Sequence, residues 1–136
     1  MVGPVKPERR RRARTKPGDA ARILDLVLIT DTCAALSVHS YAALLAGFLA
    51  DESASLSALL ALLDGAGPAS ERVAAAHRFK GAAASLGLRE LADTAFQIES
   101  EAGSLTEDTA ALAAQRLRSQ MEAVREMATR IGWLGV

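Results

Sequence analysis

Between residues 39 and 64 the apolar side chains of Tyr41, Leu45, Phe48, Leu49, Leu56, Leu59, Leu60 and Leu63 fall on one stripe at helical spacing. The same period runs through the rest of the chain from Ala20 onward. A first short helix, or pair of turns, is predicted over about 21–35. The helix over about 39–64 then stops at "DGAGP" (64–68), where Gly65 suits a left-handed C-cap and Pro68 a first helical turn. A third helix runs to about Leu86 and ends at Gly87, with Ala75, Phe79, Ala82 and Leu86 as its core face. A fourth covers about 88–102 and stops at Gly103, its inward stripe being Leu88, Leu91, Ala92, Ala95, Ile98 and Ala102. "SLTE" (104–107) reads as a capping box opening the last helix, which carries Ala113, Leu117, Met121, Val124, Ala128 and Ile131 on one face. No strand-like alternation occurs. Amphipathic helices joined by short loops bury their stripes only against one another, so the expected fold is all-α, an antiparallel helical bundle.

Composition agrees with this pattern. Half of the 136 residues are hydrophobic but only 4% are aromatic, and alanine and leucine dominate, which favours closely packed helices. No run of about 18 uninterrupted apolar residues occurs, so no membrane span is expected. The single Cys33 has no internal disulfide partner and reads as a small core residue of the first helix. No cysteine–histidine spacing points to a metal, and a reducing cytoplasm is the expected compartment.

Charge changes the picture at one end. The net charge is zero, yet residues 1–16 carry +6 and the remainder −6. Residues 1–19, with Gly3, Pro4, Pro7, Pro17 and Gly18, have no apolar period and read as a disordered basic tail ahead of a domain over 20–136. Clustered arginines attract phosphate backbones. No aromatic residue interleaves them for base stacking, so nucleic-acid binding is not expected of this chain.

The candidate chemistry lies in "AHRFKGAAASLG" (76–87). On the third helix His77 falls opposite the core face, with Lys80, Gly81 and Ala84 within about 60° of it. A lone histidine is ordinarily a solvated or core residue, and His39, near the start of the second helix, is read as a surface or helix-entry residue. His77 differs in its surroundings. A nucleophilic imidazole needs one ring nitrogen free and the other held by an acceptor that fixes the tautomer. A cation beside it would offset the charge of a phosphoryl group, and the absence of bulk would let a partner close over the ring. Lys80, Gly81 and Ala84 meet the last two conditions. Glu99, at the edge of the fourth helix's inward stripe, is the candidate acceptor; a carboxylate there that merely reaches water is the competing reading. Glu52, inside the second helix's stripe, has no functional account, and Trp133 is expected to pack at the bundle end.

These residues resemble the histidine-containing phosphotransfer (HPt) domain: Ala76, His77, two residues, Lys80, Gly81, a run of small residues, then Leu86 and Gly87. "LRELADTAFQIES" (88–100) is similar to the family's next helix, and the likeness extends over most of 21–131. Phe79 stands where leucine or isoleucine is commoner in the family. The resemblance implies an up-down four-helix bundle preceded by a short N-terminal helix. It also implies His77 as the phosphorylated residue, Lys80 as the phosphate neighbour, Gly81 as the gap beside the ring and Glu99 as the group that orients the imidazole. The implied function is a phosphorelay intermediate of two-component signalling, carrying a phosphoryl group between aspartates of response-regulator receiver domains, with a hybrid histidine kinase upstream. Such a carrier is not an enzyme, needs no cofactor and binds no metal itself, because the receiver brings its own aspartate and divalent ion. Arg78 and Ala84 would join the docking surface, and a monomer is expected. A helical adaptor without phosphotransfer and a phosphotransfer fragment of a hybrid kinase are the alternatives. A kinase dimerisation domain fits less well, since Arg78 stands where an acidic residue typically follows the histidine.

Overall fold

Alanine and leucine lose little side-chain freedom in a helix, and the chain uses that propensity almost everywhere. A computed structural model describes residues 22–50, 52–65 and 67–132, with the side chains of 52–54 left out. The helices are α1 (Leu26–Leu36), α2 (Val38–Ala50), α3 (Glu52–Asp64), α4 (Ala69–Ser85), α5 (Arg89–Glu101) and α6 (Glu107–Ile131), with a 3₁₀ turn at Ala102–Ser104 before the last. No strand occurs among the described residues. The basic tail, Trp133 and the side chain of Glu52 lie outside them.

The helix expected over 39–64 is present as α2 and α3, on either side of residue 51. Packing joins α3 to α4 and α6, and α5 to α4 and α6, while α1 lies on α2, and both α1 and α2 contribute buried residues to the same core. Tyr41, Leu45, Leu59, Phe79, Leu88, Leu91, Leu117 and Met121 are essentially sealed from solvent. The Phe48 and Phe79 rings meet at 5.7 Å between centroids.

Several local expectations are corrected. Ala83 and Ala114 are buried where Ala82 and Ala113 were expected; those two are half-buried. On α4 the stripe steps from Phe79 by four residues to Ala83, which turns Ala82 towards α2. Ile131, the last residue of α6 before the Gly132 cap, is half exposed. Gly65 is not left-handed, for the carbonyls there are satisfied by a side chain: buried Arg72 donates from Nε to Leu62 O (3.0 Å) and from Nη2 to Gly65 O (3.2 Å). Pro68 is the N-cap of α4, one position outside the helix, and its carbonyl accepts from the Glu71 and Arg72 amides. The last helix opens at a Thr106–Thr109 capping box instead of Ser104–Glu107, because the 3₁₀ turn takes up Ser104. Cys33 is half-buried against the core, and His39 is exposed, as expected.

By mean hydropathy (1.4), Val38–Asp64 is long and apolar enough to cross a membrane, although no uninterrupted apolar run of that length exists. Within the bundle the buried residues of this stretch are Tyr41, Leu45, Leu49, Leu56, Leu59 and Leu63, so its most periodic positions face protein.

Two contacts fix the end of α4 relative to α1 and α2. The Tyr41 hydroxyl donates to the Leu86 carbonyl at 2.7 Å in the protein interior, and the Asp25 amide donates to the Gly87 carbonyl at 2.7 Å. Burial pushes the Tyr41 hydroxyl up to about 12. Its neutral form is the one the fold selects, so this contribution is complete below pH 10 and is lost as pH rises towards 12. Tyr41→Phe is expected to cost about 1–2 kcal/mol at neutral pH. Urea unfolding across pH 9–12 checks both: the variant should lack the alkaline loss that the wild type shows.

Candidate functional site

The site is built on the seam between α4 and α5, the most extensively packed pair of helices. Small residues make that closeness possible: Ala75, Ala76 and Ala83 on α4 and Ala95 on α5 are buried, and none holds the backbones apart. Longer polar side chains at the edge of such a seam can then reach across it. Positions three apart share a helix face, which places His77 with Lys80 on α4 and Phe96 with Glu99 on α5.

Glu99 joins the two helices with both oxygens. Its Oε2 lies 3.0 Å from His77 Nδ1, and its Oε1 accepts from Lys80 Nζ at 2.8 Å. The Lys80 ammonium beside it holds the Glu99 carboxyl below its usual value of 4.5, the His77 contact acts in the same sense, and partial burial opposes both. The carboxylate is therefore ionised at neutral pH and only accepts, which assigns the proton of a neutral His77 ring to Nδ1 and leaves the Nε2 lone pair free. Since the carboxyl is held low, its charged form is complete above its ordinary titration range and is lost only in stronger acid.

Accessibility is graded across the cluster. The His77 side chain is 67% exposed, whereas Lys80 and Glu99 are 27% and 22% exposed. Gly81 is exposed, and a Cβ built there would meet nothing within 4 Å, so no internal packing requires glycine. Its effect is on the surface, where the strip beside the ring stays flat. Arg78 and Ala84 are exposed on the same helix and take no part in the carboxylate cluster. Among the described residues no group of three or more His, Cys, Asp or Glu side chains could hold a metal ion.

The candidate four, His77, Lys80, Gly81 and Glu99, are thus adjacent in space. Sequence reasoning passed over Phe96: the Lys80 Nζ stands over its ring, 5.2 Å from the centroid. The available signal was its place three residues before Glu99, on the same face as the acceptor.

The family model for the Hpt domain matches residues 43–127. The chain belongs to the Hpt domain family. No curated protein and no solved structure matches it. Hpt domains are phosphocarrier modules that perform histidine phosphotransfer in two-component phosphorelays, where they interact with receiver domains and histidine kinases. The matched region runs from α2 into α6 and contains the whole His77–Lys80–Glu99 cluster.

Proposed function

We propose that this Hpt domain carries a phosphoryl group on Nε2 of His77 and exchanges it with aspartates of receiver domains. The observation that carries the reading is the 3.0 Å contact of Glu99 Oε2 with His77 Nδ1 on a ring that is 67% exposed. In the forward step the Nε2 lone pair attacks the phosphorus of a receiver's aspartyl phosphate. The N–P bond forms as the P–O bond to the aspartate breaks, and the aspartate leaves as a carboxylate. The Nδ1 proton stays in place, so the phosphorylated ring is an imidazolium, and the Glu99 carboxylate stabilises its positive charge. Transfer to a second receiver is the same step reversed, and the protein is both acceptor and donor.

Lys80 lies beside the ring and supplies positive charge next to the incoming phosphoryl oxygens, while Gly81 keeps the approach clear. The partner would dock across Arg78, Gly81 and Ala84. The apolar groove formed by Leu36, Leu44, Gly47, Phe48 and Ala82 adjoins this surface and supports its assignment to docking. On this reading the four long helical elements, with α2 and α3 taken as one, form an up-down bundle, a topology that short connections favour. On this reading the domain acts as a cytoplasmic monomer, and α2–α3 is a bundle helix.

Phosphoryl transfer from a panel of phosphorylated receiver domains tests the function, with the label on the Hpt domain expected to be acid-labile and alkali-stable. Glu99→Ala is expected to slow acceptance by about tenfold to a hundredfold, the scale on which a histidine's orienting partner matters at metal sites. The imidazole ¹⁵N shifts of His77 should show the Nδ1–H tautomer losing its preference. A variant with unchanged rate and unchanged tautomer balance would remove Glu99 from the site.

A further inference from the structure

The reading above uses three side chains of the α4–α5 seam and leaves a fourth unexplained. Phe96 is 57% exposed, an unusual position for a phenylalanine in a chain with only three. It has no place in the core. Its ring instead lies under the Lys80 ammonium, which also donates to Glu99 Oε1 at 2.8 Å. Lysine has four rotatable side-chain bonds and strong hydration, so an exposed ammonium seldom keeps one place. Here two neighbours on α5, one turn apart, hold it from two sides: a carboxylate by charge and an aromatic face by its quadrupole.

We infer that Phe96 is a positioning residue of the phosphotransfer site, holding Lys80 in the place from which it braces Glu99 and, through Glu99, the imidazole of His77. This rests on the proposed function for its consequence in phosphoryl transfer, but the positioning itself can be read without any transfer. The chain of contacts is continuous: Phe96 ring to Lys80 Nζ, Lys80 Nζ to Glu99 Oε1, Glu99 Oε2 to His77 Nδ1. Each contact limits the freedom of the next side chain. A cation over an aromatic face also gains strength as water is excluded. A receiver closing over His77 would cover the exposed ring, so Phe96 acts more strongly in the docked complex than in the free protein.

The experiment compares the wild type with Phe96→Leu and Phe96→Tyr in the full chain. Stability by urea unfolding should stay near that of the wild type, because the side chain is largely exposed. In the wild type the ring current should displace the ε-methylene protons of Lys80 upfield. Phe96→Leu should abolish that displacement and move the Glu99 carboxyl titration back towards its ordinary value, and Phe96→Tyr, which keeps an aromatic face, should restore both. Acceptance from phosphoramidate, a small phosphoryl donor, should fall about two- to fivefold in Phe96→Leu, and acceptance from a receiver should fall further. If Lys80 shifts and Glu99 titration are the same in all three proteins, the inference is overturned. If those signals move as expected but His77 takes up phosphoryl in none of the proteins, the positioning stands and the phosphocarrier reading falls.

Discussion

His77→Gln is expected to abolish phosphoryl acceptance from every receiver and from phosphoramidate, while leaving the fold intact. Glutamine can still offer a polar group to Glu99, but its amide nitrogen has no available lone pair to attack phosphorus. The side chain is 67% exposed and its recorded partner is the Glu99 carboxylate, so the structural cost should lie within about 0.5 kcal/mol. The measurement is label transfer beside urea unfolding on the same preparation. Loss of label with unchanged unfolding places the chemistry at His77. Equal labelling of both proteins places it elsewhere and leaves the described carboxylate cluster without its proposed role.

Gly87→Ala should do the opposite: strong destabilisation with no change to the reacting groups. Gly87 has φ of +75°, where an L-residue costs about 1–2 kcal/mol. It closes α4 in a Schellman arrangement, its amide donating to Ala84 O at 3.0 Å and the Leu88 amide to Ala83 O at 2.9 Å. An added Cβ would also lie 2.8 Å from Ile29 Cγ1 and 3.3 Å from the Asp25 carbonyl. Ile29 is buried, so its side chain has little room to withdraw, and overpacking of this kind adds about 1–3 kcal/mol. The sum is about 2–5 kcal/mol, to be read as a lower urea midpoint. At temperatures where the variant remains folded, its phosphoryl acceptance should match the wild type. A midpoint unchanged within error would mean that the turn at Gly87 relaxes freely, against the contacts described.

The two variants divide one sequence motif into separate physical tasks. His77, Lys80 and Gly81 belong to the exposed chemical face of α4. Leu86 and Gly87, at the end of the same motif, belong to the fold: Leu86 supplies the carbonyl that Tyr41 binds, and Gly87 the turn on which α1 rests. A motif read only along the chain does not separate these roles, because both fall on one helix and its cap.

Helical periodicity by itself determined the all-α class, the approximate extent of the elements and most of the core, since an amphipathic stripe depends only on side chains three and four apart. It also placed His77 on the outer face with Lys80 and Gly81, for the same local reason. The Glu99 position was legible as a carboxylate at the margin of a buried stripe and as the candidate acceptor for His77, but its second contact, with Lys80, was not. The packing of α4 against α5 decided that Glu99 divides its oxygens between His77 and Lys80, and that Phe96 stands beneath the ammonium. Tertiary contacts likewise decided the finer register. Arg72 capping α3, Ala83 taking the core place expected of Ala82, and Thr106 taking the cap expected of Ser104 all depend on neighbouring elements. A stripe of side chains records which face of a helix is buried; the partner it meets, and at what height, is set only when two such faces lock together.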